Sequence, residues 1–175
     1  MTGTRPRADA AGQLGWAVVL VDHDALCRPA AALRRLPTGT GGVAVYRGWM
    51  LASHRYAAFA EALATRRIRL LTSATAYRTA HELPGWYPSF AQHTPASVWT
   101  TGRSLEALTQ RVRGVAWHAA VLRDYVKSAK HAWHEAAYVP DLGDTGALVA
   151  VTRRLLELRA ERTSPAGSFC ASSRS

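Results

Sequence analysis

Val121-Leu-Arg-Asp-Tyr-Val-Lys-Ser-Ala-Lys-His131 decides how this chain is read, because it carries the densest ordered set of charges in the sequence. As a strand, the stretch alternates faces, with Arg123, Tyr125 and Lys127 on one side and Leu122, Asp124 and Val126 on the other. Same-face neighbours stand ~6.7 Å apart along a strand, so Arg123 and Lys127 can span a polyanion such as the phosphates of a nucleotide. Lys130 adds a third positive charge from the loop that follows. The competing reading is an edge strand whose lysines sit in water and discourage strand pairing.

Outward from this stretch, apolar periodicity lays down an α/β order. Trp16 to Val21 is a continuous apolar run with β-branched residues, expected as a fully buried strand, and Val43 to Arg47 is a second. A short helix is expected over Leu26 to Leu36, and a turn at the glycines of Thr38 to Gly42. Those glycines lead into a strand, so they lack the helix N-terminus of a phosphate loop. Tyr56, Phe59, Ala60 and Leu63 follow helical spacing over Ser53 to Thr65. Ile68 to Leu71 reads as a strand, and Ser73 caps a helix from Ala74 that stops before Pro84. Parallel pairing follows, since parallel neighbours need a crossover helix.

Gly85 to Phe90 reads as an aromatic turn and a lobe boundary, and Thr94-Pro95 as a short helical turn. Ser97 to Thr100 looks extended. Ser104 caps a helix bearing Leu105, Leu108 and Val112, with Glu106 near its N-terminus. The central strand spans Trp117 to Lys127, and Ala136 to Val139 forms another. Leu148, Val151, Leu155 and Leu158 mark an amphipathic helix from Thr145 to about Ala160.

Composition narrows the partners. With 48% hydrophobic and 19% charged residues the chain is globular, and 22 Lys plus Arg against 12 Asp plus Glu invite an anionic partner. The basic residues are scattered singly or in pairs, as on a solvated surface. Cys27 and Cys170 lie far apart, which indicates neither a disulfide scaffold nor a thiolate zinc site and suits a cytoplasmic location. Asp22 ends the run from Trp16 too early for a signal peptide or a membrane span, so no membrane partner is expected. His131 and His134 do not meet a zincin pattern, and no serine-hydrolase elbow or general-acid carboxylate pair is identifiable. Asp22-His23-Asp24 sits where α/β sheets place ligands but serves equally as a turn.

Several motifs in order carry a resemblance: Tyr46-Arg-Gly-Trp-Met50, Leu70-Leu-Thr-Ser73 with Ala76-Tyr77, Ala80-His-Glu-Leu-Pro84 with Trp86-Tyr-Pro88, Thr94-Pro95 with Val98-Trp-Thr100, and Asp124-Tyr-Val-Lys-Ser128 with Lys130-His131. Together they resemble ATP-grasp proteins of the clade named for an arginine and two lysines, over about 16 to 159. The resemblance implies an N-terminal parallel-sheet domain (16–90) after a flexible arm (1–15), then the first, incomplete lobe of an ATP-grasp fold (94–160). It implies ATP- and magnesium-dependent carboxylate–amine ligation through an acyl phosphate, with ATP and a carboxylate or amine substrate as partners, a peptide among the candidates. It makes Arg123, Lys127 and Lys130 phosphate-facing cations, and Arg47 could face the cleft; the alternative for Arg47 is a salt bridge supporting the turn at Gly48. No catalytic residue or metal ligand is assigned. The chain departs from the pattern with Arg123 where lysine is expected and Ala129 where arginine is expected.

The stretch 161–175 has no apolar periodicity and is expected to be a disordered tail. Codons permitted for Glu161 to Ser173, read one base onward, can encode Asp-Phe-Thr-Gly-Gly-Ile-Val-Leu-Arg-Glu-Phe-Glu, which resembles the family's next strand and adenine linker. A frameshift truncating the product near 161 is therefore expected, with the metal ligands missing and the activity impaired. The rival to a ligase is a basic nucleic-acid-binding module that uses the +10 charge and six tryptophans.

Overall fold

The computed structural model describes residues 4–27, 33–35, 41–126, 130–161 and 169–174, and the chain divides into two compact units, 1–77 and 78–175. The division falls earlier than residue 90, the boundary read from the sequence.

In the first unit, helix α1 (Thr4–Gln13) precedes β1 (Gly42–Ala44), α2 (Ser53–Ala64) and β2 (Ile68–Leu70). β1 and β2 pair in parallel, Gly42 opposite Ile68 and Ala44 opposite Leu70, with α2 as the crossover. The helical spacing read from the sequence is realised: Tyr56, Phe59 and Leu63 are buried on one face of α2, against Ile68, Leu70 and Leu26. Each such side chain stabilises the fold by ~1.5–3 kcal/mol relative to exposure. Tyr77 stacks on Tyr56 with ring centroids 3.8 Å apart, and its hydroxyl accepts from the Leu51 N–H and donates to the Leu51 carbonyl, both at 2.9 Å. Helix α3 (Ala74–His81) begins at Ser73, whose Oγ accepts from Ala76 N at 3.1 Å.

Four expectations change in this unit, beginning with the flexible arm expected over 1–15, which contains helix α1 (Thr4–Gln13). Trp16 to Val21 is not a buried strand: no described strand pairs with it, and Trp16, Val18, Val19 and Leu20 are exposed. A run without alternation has no preferred face and needs neighbours to become a strand. The segment from Val43 is also more open than expected, Val43 being 59% exposed on the uncovered face. The helix expected over 26–36 is represented by short 3-10 turns at Asp24–Cys27 and Leu33–Arg35, the remainder lying outside the described residues. Asp22 is a turn residue, its Oδ1 accepting from Asp24 N at 3.0 Å.

The second unit continues with α4 (Leu83–Phe90), β3 (Ser97–Thr100), α5 (Leu105–Arg113), β4 (Ala119–Asp124), α6 (Trp133–Ala136), β5 (Tyr138–Val139), α7 (Thr145–Glu161) and β6 (Phe169–Arg174). The strands form an antiparallel sheet in the order β3-β6-β4-β5. Ala120, Leu122 and Ala171 turn to one face, where Leu108 and Val112 of α5 and Leu148 of α7 cover them. Ser104 caps α5, its Oγ accepting from Ala107 N at 3.1 Å. The molecule is thus α/β, with a parallel sheet in one unit and an antiparallel sheet in the other.

Three segments of this unit overturn the sequence reading. The expected aromatic turn at 85–90 is helix α4, because Pro84 sits in its first turn, where the missing N–H would have no intrahelical partner. Gly85 permits this start, since a Cβ there would lie 2.6 Å from the Thr79 carbonyl oxygen. The tail expected to be disordered supplies β6 from residue 169, hydrogen-bonded to β3 on one edge and β4 on the other. Its serines and alanine lack apolar bulk, but Ala171, fully buried, fits beneath α5 and α7 where a larger side chain would crowd. The helical turn expected at Thr94-Pro95 is displaced to a 3-10 turn at Ala91–His93.

Candidate functional site

The uncovered face of the antiparallel sheet carries a row across all four strands: Ser97 of β3, Ser172 of β6, Val121 of β4 and Tyr138 of β5. The Ser97 and Ser172 hydroxyls lie 2.7 Å apart. Arg123 stands one row nearer the C-terminal end of β4, on the same face as Val121 because strand side chains alternate. Trp133 of α6 stacks on Tyr138 with centroids 5.6 Å apart and planes at 16°. Helix α4 is tied to this face by Tyr87, whose hydroxyl accepts from Ser97 N at 3.1 Å and whose ring meets Trp99 edge-on.

Beside these elements lies an open crevice of about 580 Å³. Val121, Arg123, Ser97 and Ser172 form its floor, and Trp86 and Trp133 wall it.

The alternation expected at the central strand holds over β4, Ala119–Asp124, but the strand is shorter than the expected span from Trp117 to Lys127, and Tyr125 and Val126 lie in a bend. Leu122 points into the core and Asp124, on the same side, meets Arg159 of α7, Oδ2 to Nε 3.1 Å. Beyond Asp124 the strand ends in a turn that the motif itself builds. The Arg123 guanidinium donates to the Asp124 carbonyl at 3.2 Å and the Val126 carbonyl at 2.9 Å, and Asp124 Oδ1 accepts from Val126 N at 2.8 Å. Tyr125 donates to the Thr100 carbonyl at 2.9 Å, while its own carbonyl accepts from Leu83 N at 3.0 Å.

Of the four cations singled out in the sequence, Arg123 lines the crevice. Lys130 opens a 3-10 turn, Lys130–Ala132, on the path from β4 to Trp133, whereas Lys127 lies outside the described residues. Arg47 belongs to the first unit and is exposed, and no salt bridge within 4 Å supports the turn at Gly48 among the described residues. That turn is held by Tyr46, which donates to the Trp49 carbonyl at 2.8 Å and lies so close to Gly48 that a Cβ would collide with the ring. Burial, with smaller contributions from Tyr77 and Tyr56, pushes the Tyr46 hydroxyl up to about 12.

Sequence reasoning missed Trp86, Trp133 and the Ser97–Ser172 pair. They come from separated segments, and only the β3–β6–β4 pairing joins them. Asp124 was seen, but its partner Arg159 carries no local signal. Among the described residues no group of three or more His, Cys, Asp or Glu comes together, and no carboxylate lines the crevice. The described residues therefore form no dedicated protein cage for a divalent cation. Among them too, no helix is long and apolar enough to cross a membrane.

Residues 113–174 match a family model described as an ATP-grasp domain, the third family of the clade named for an arginine and two lysines, a span that includes β4, α7 and β6 in the frame as given. No curated protein sequence matches the chain. A crystal structure of a RimK domain ATP-grasp protein from Sphaerobacter thermophilus superposes with a TM-score of 0.46 and 13% identity, covering 91% of this chain and 62% of that one. The chain thus spans less than two thirds of that protein's length. The likeness rests on the segment match: residues 113–174 are similar to the ATP-grasp domain of that clade.

Proposed function

We propose that this chain contributes to an ATP-dependent carboxylate–amine ligation, with Arg123 beside the crevice as the fixed cation of the site. The observation that carries this reading is the position of Arg123: a half-buried guanidinium on the uncovered face of a sheet, within the segment matched to the ATP-grasp domain. Lys127, Lys130 and Arg47 are the further phosphate-facing candidates. Fixed positive charge favours phosphoryl transfer because negative charge spreads over the transferred oxygens. In the proposed reaction a carboxylate oxygen attacks the γ-phosphorus of ATP and ADP leaves. An amine then displaces phosphate from the acyl phosphate, losing a proton as the amide forms.

The test is amine labelling of the full chain, read by peptide mass spectrometry with and without ATP. ATP is expected to slow labelling of Lys127 and Lys130 while exposed lysine controls in an added inert protein are unchanged. Unaltered labelling at saturating ATP, together with salt-sensitive binding to single-stranded oligonucleotides, would replace the ligase reading with a nucleic-acid-binding one.

A further inference from the structure

We infer that the uncovered face of the first unit's parallel sheet is a docking surface for an amphipathic helix of a partner protein, one that carries a carboxylate within its apolar stripe. Register sets this face: Val43 of β1 stands opposite Arg69 of β2, and both are exposed while Ile68 and Leu70 are buried on the other side. One step further along, Leu71 N donates to the Ala44 carbonyl at 2.8 Å, which continues the ladder and brings Val45 and Leu71 onto the same face at 47% and 62% exposure. Three aliphatic side chains therefore flank one guanidinium in contact with solvent.

The occupant follows from what this face lacks. Parallel strands are joined by crossover helices, and their sheets are ordinarily covered on both faces. Helix α2 covers one, with Tyr56, Phe59 and Leu63 directed there. Helix α1 offers little for the other, since beyond Pro6 it has no apolar side chain larger than alanine. A second copy of the chain fits poorly as well. In the described helices the exposed large apolar side chain is Phe90 of α4, and two such faces packed about a two-fold axis would crowd Arg69 toward its own copy, a like-charge contact.

Charge selects the partner's chemistry. Covering Arg69 with carbon alone withdraws a guanidinium from water without compensation, which is costly, so the occupant has to bring an acid. The first unit holds no acid in reserve: its ten arginines face four acidic residues, Asp9, Asp22, Asp24 and Glu61. Among the described residues no ion pair joins any of these to Arg69. The residues of this unit outside the described set, 1–3, 28–32 and 36–40, contain no Asp or Glu. The same excess of positive charge favours encounter with an acidic partner. Nucleic acid is a poorer match, because this face offers aliphatic side chains where base stacking needs aromatic rings.

The test is display panning of a helical-peptide library, randomised over one helix face, against the full chain, with enriched peptides synthesised and titrated by fluorescence anisotropy. Enriched sequences are expected to place apolar residues at i, i+3, i+4 and i+7 with one Asp or Glu among them. Arg69→Glu should weaken such a peptide about tenfold or more, and exchanging the peptide's acid for lysine should restore binding to that variant. Leu71→Asn, which leaves the net charge unchanged, should weaken the peptide about tenfold as well. Both side chains are exposed, melting curves verify that each variant keeps the fold, and either variant alone decides. Failure to enrich peptides that depend on Leu71, or binding that Arg69→Glu leaves unchanged, overturns the inference. A dimer in sedimentation that Leu71→Asn dissociates overturns it in favour of a second copy. Binding of a thymidine oligonucleotide or of phosphatidylserine vesicles that Leu71→Asn abolishes overturns it in favour of nucleic acid or lipid.

Discussion

Asp124 Oδ2 lies 3.1 Å from Arg159 Nε, and both side chains are mostly withdrawn from solvent, at 20% and 13% exposure. The pair fastens the C-terminal end of β4 to the last turns of α7. The same carboxylate accepts from Val126 N, so one side chain sets both the sheet–helix join and the turn beyond it. Arg159→Met removes the ion-pair partner of a mostly withdrawn carboxylate that keeps the Val126 N–H. A fully buried pair loses about 3–5 kcal/mol on such a change, and this partly exposed one is expected to lose less, read as a lower urea midpoint of the second unit. Asp124→Asn, which keeps an acceptor for Val126 N, should cost less.

Gly48→Ala is expected to destabilise the first unit by about 1–3 kcal/mol, the usual cost of overpacking, because the new Cβ meets the Tyr46 ring. The check is thermal melting of Gly48→Ala beside Gly48→Ala/Tyr46→Leu. The second change removes the collision and should return part of the loss.

Raising the Tyr46 hydroxyl to about 12 has a defined consequence for alkaline stability. The folded state holds this proton more tightly than the unfolded chain, whose tyrosines ionise near ~10. The contribution is therefore fully present below pH ~10 and is lost as pH rises toward about 12. Tyr56 and Tyr77 shift the same way, chiefly through burial. Absorbance titration at the tyrosinate band should show a class ionising above the ordinary range, which Tyr46→Phe diminishes.

Ala171→Asp tests the tail. Ala171 is fully buried between β3 and β4, so an aspartate there puts a charge into the core, and cooperative unfolding of the second unit should be lost. Ser172→Asp, at a half-buried site on the uncovered face, should be much milder. Equal, small effects at both positions would mean that 169–174 is not held in the sheet.

What the sequence revealed, and what it hid, divides along a physical line. Helices α2, α3, α5 and α7 were legible because apolar spacing and, for α3 and α5, the Ser73 and Ser104 caps are local signals. The faces of β4 were legible from alternation. Helix α4 was not, because Pro84, Gly85 and Pro88 read as breakers although Pro84 occupies a permitted position. β6 was hidden because its structure comes from neighbours on both edges rather than from its own residues. Trp16 to Val21 misled in the opposite direction, an apolar run without a described partner. At the site, charge drew attention to Arg123, while the indole walls and the paired serines depended on a register no local pattern encodes.

The central claim is that Arg123 supplies fixed positive charge to an anion-binding site on the uncovered face of the sheet. The direct measurement is ATP affinity of the full chain, Arg123→Lys and Arg123→Met by equilibrium dialysis, with melting curves showing that the second unit remains folded. A charge-assisted hydrogen bond contributes ~1.5–3 kcal/mol, so Arg123→Met should bind ATP about 10–100-fold more weakly, and Arg123→Lys should fall between it and the unaltered chain. Folded Arg123→Met binding ATP as tightly as the unaltered chain would contradict the account.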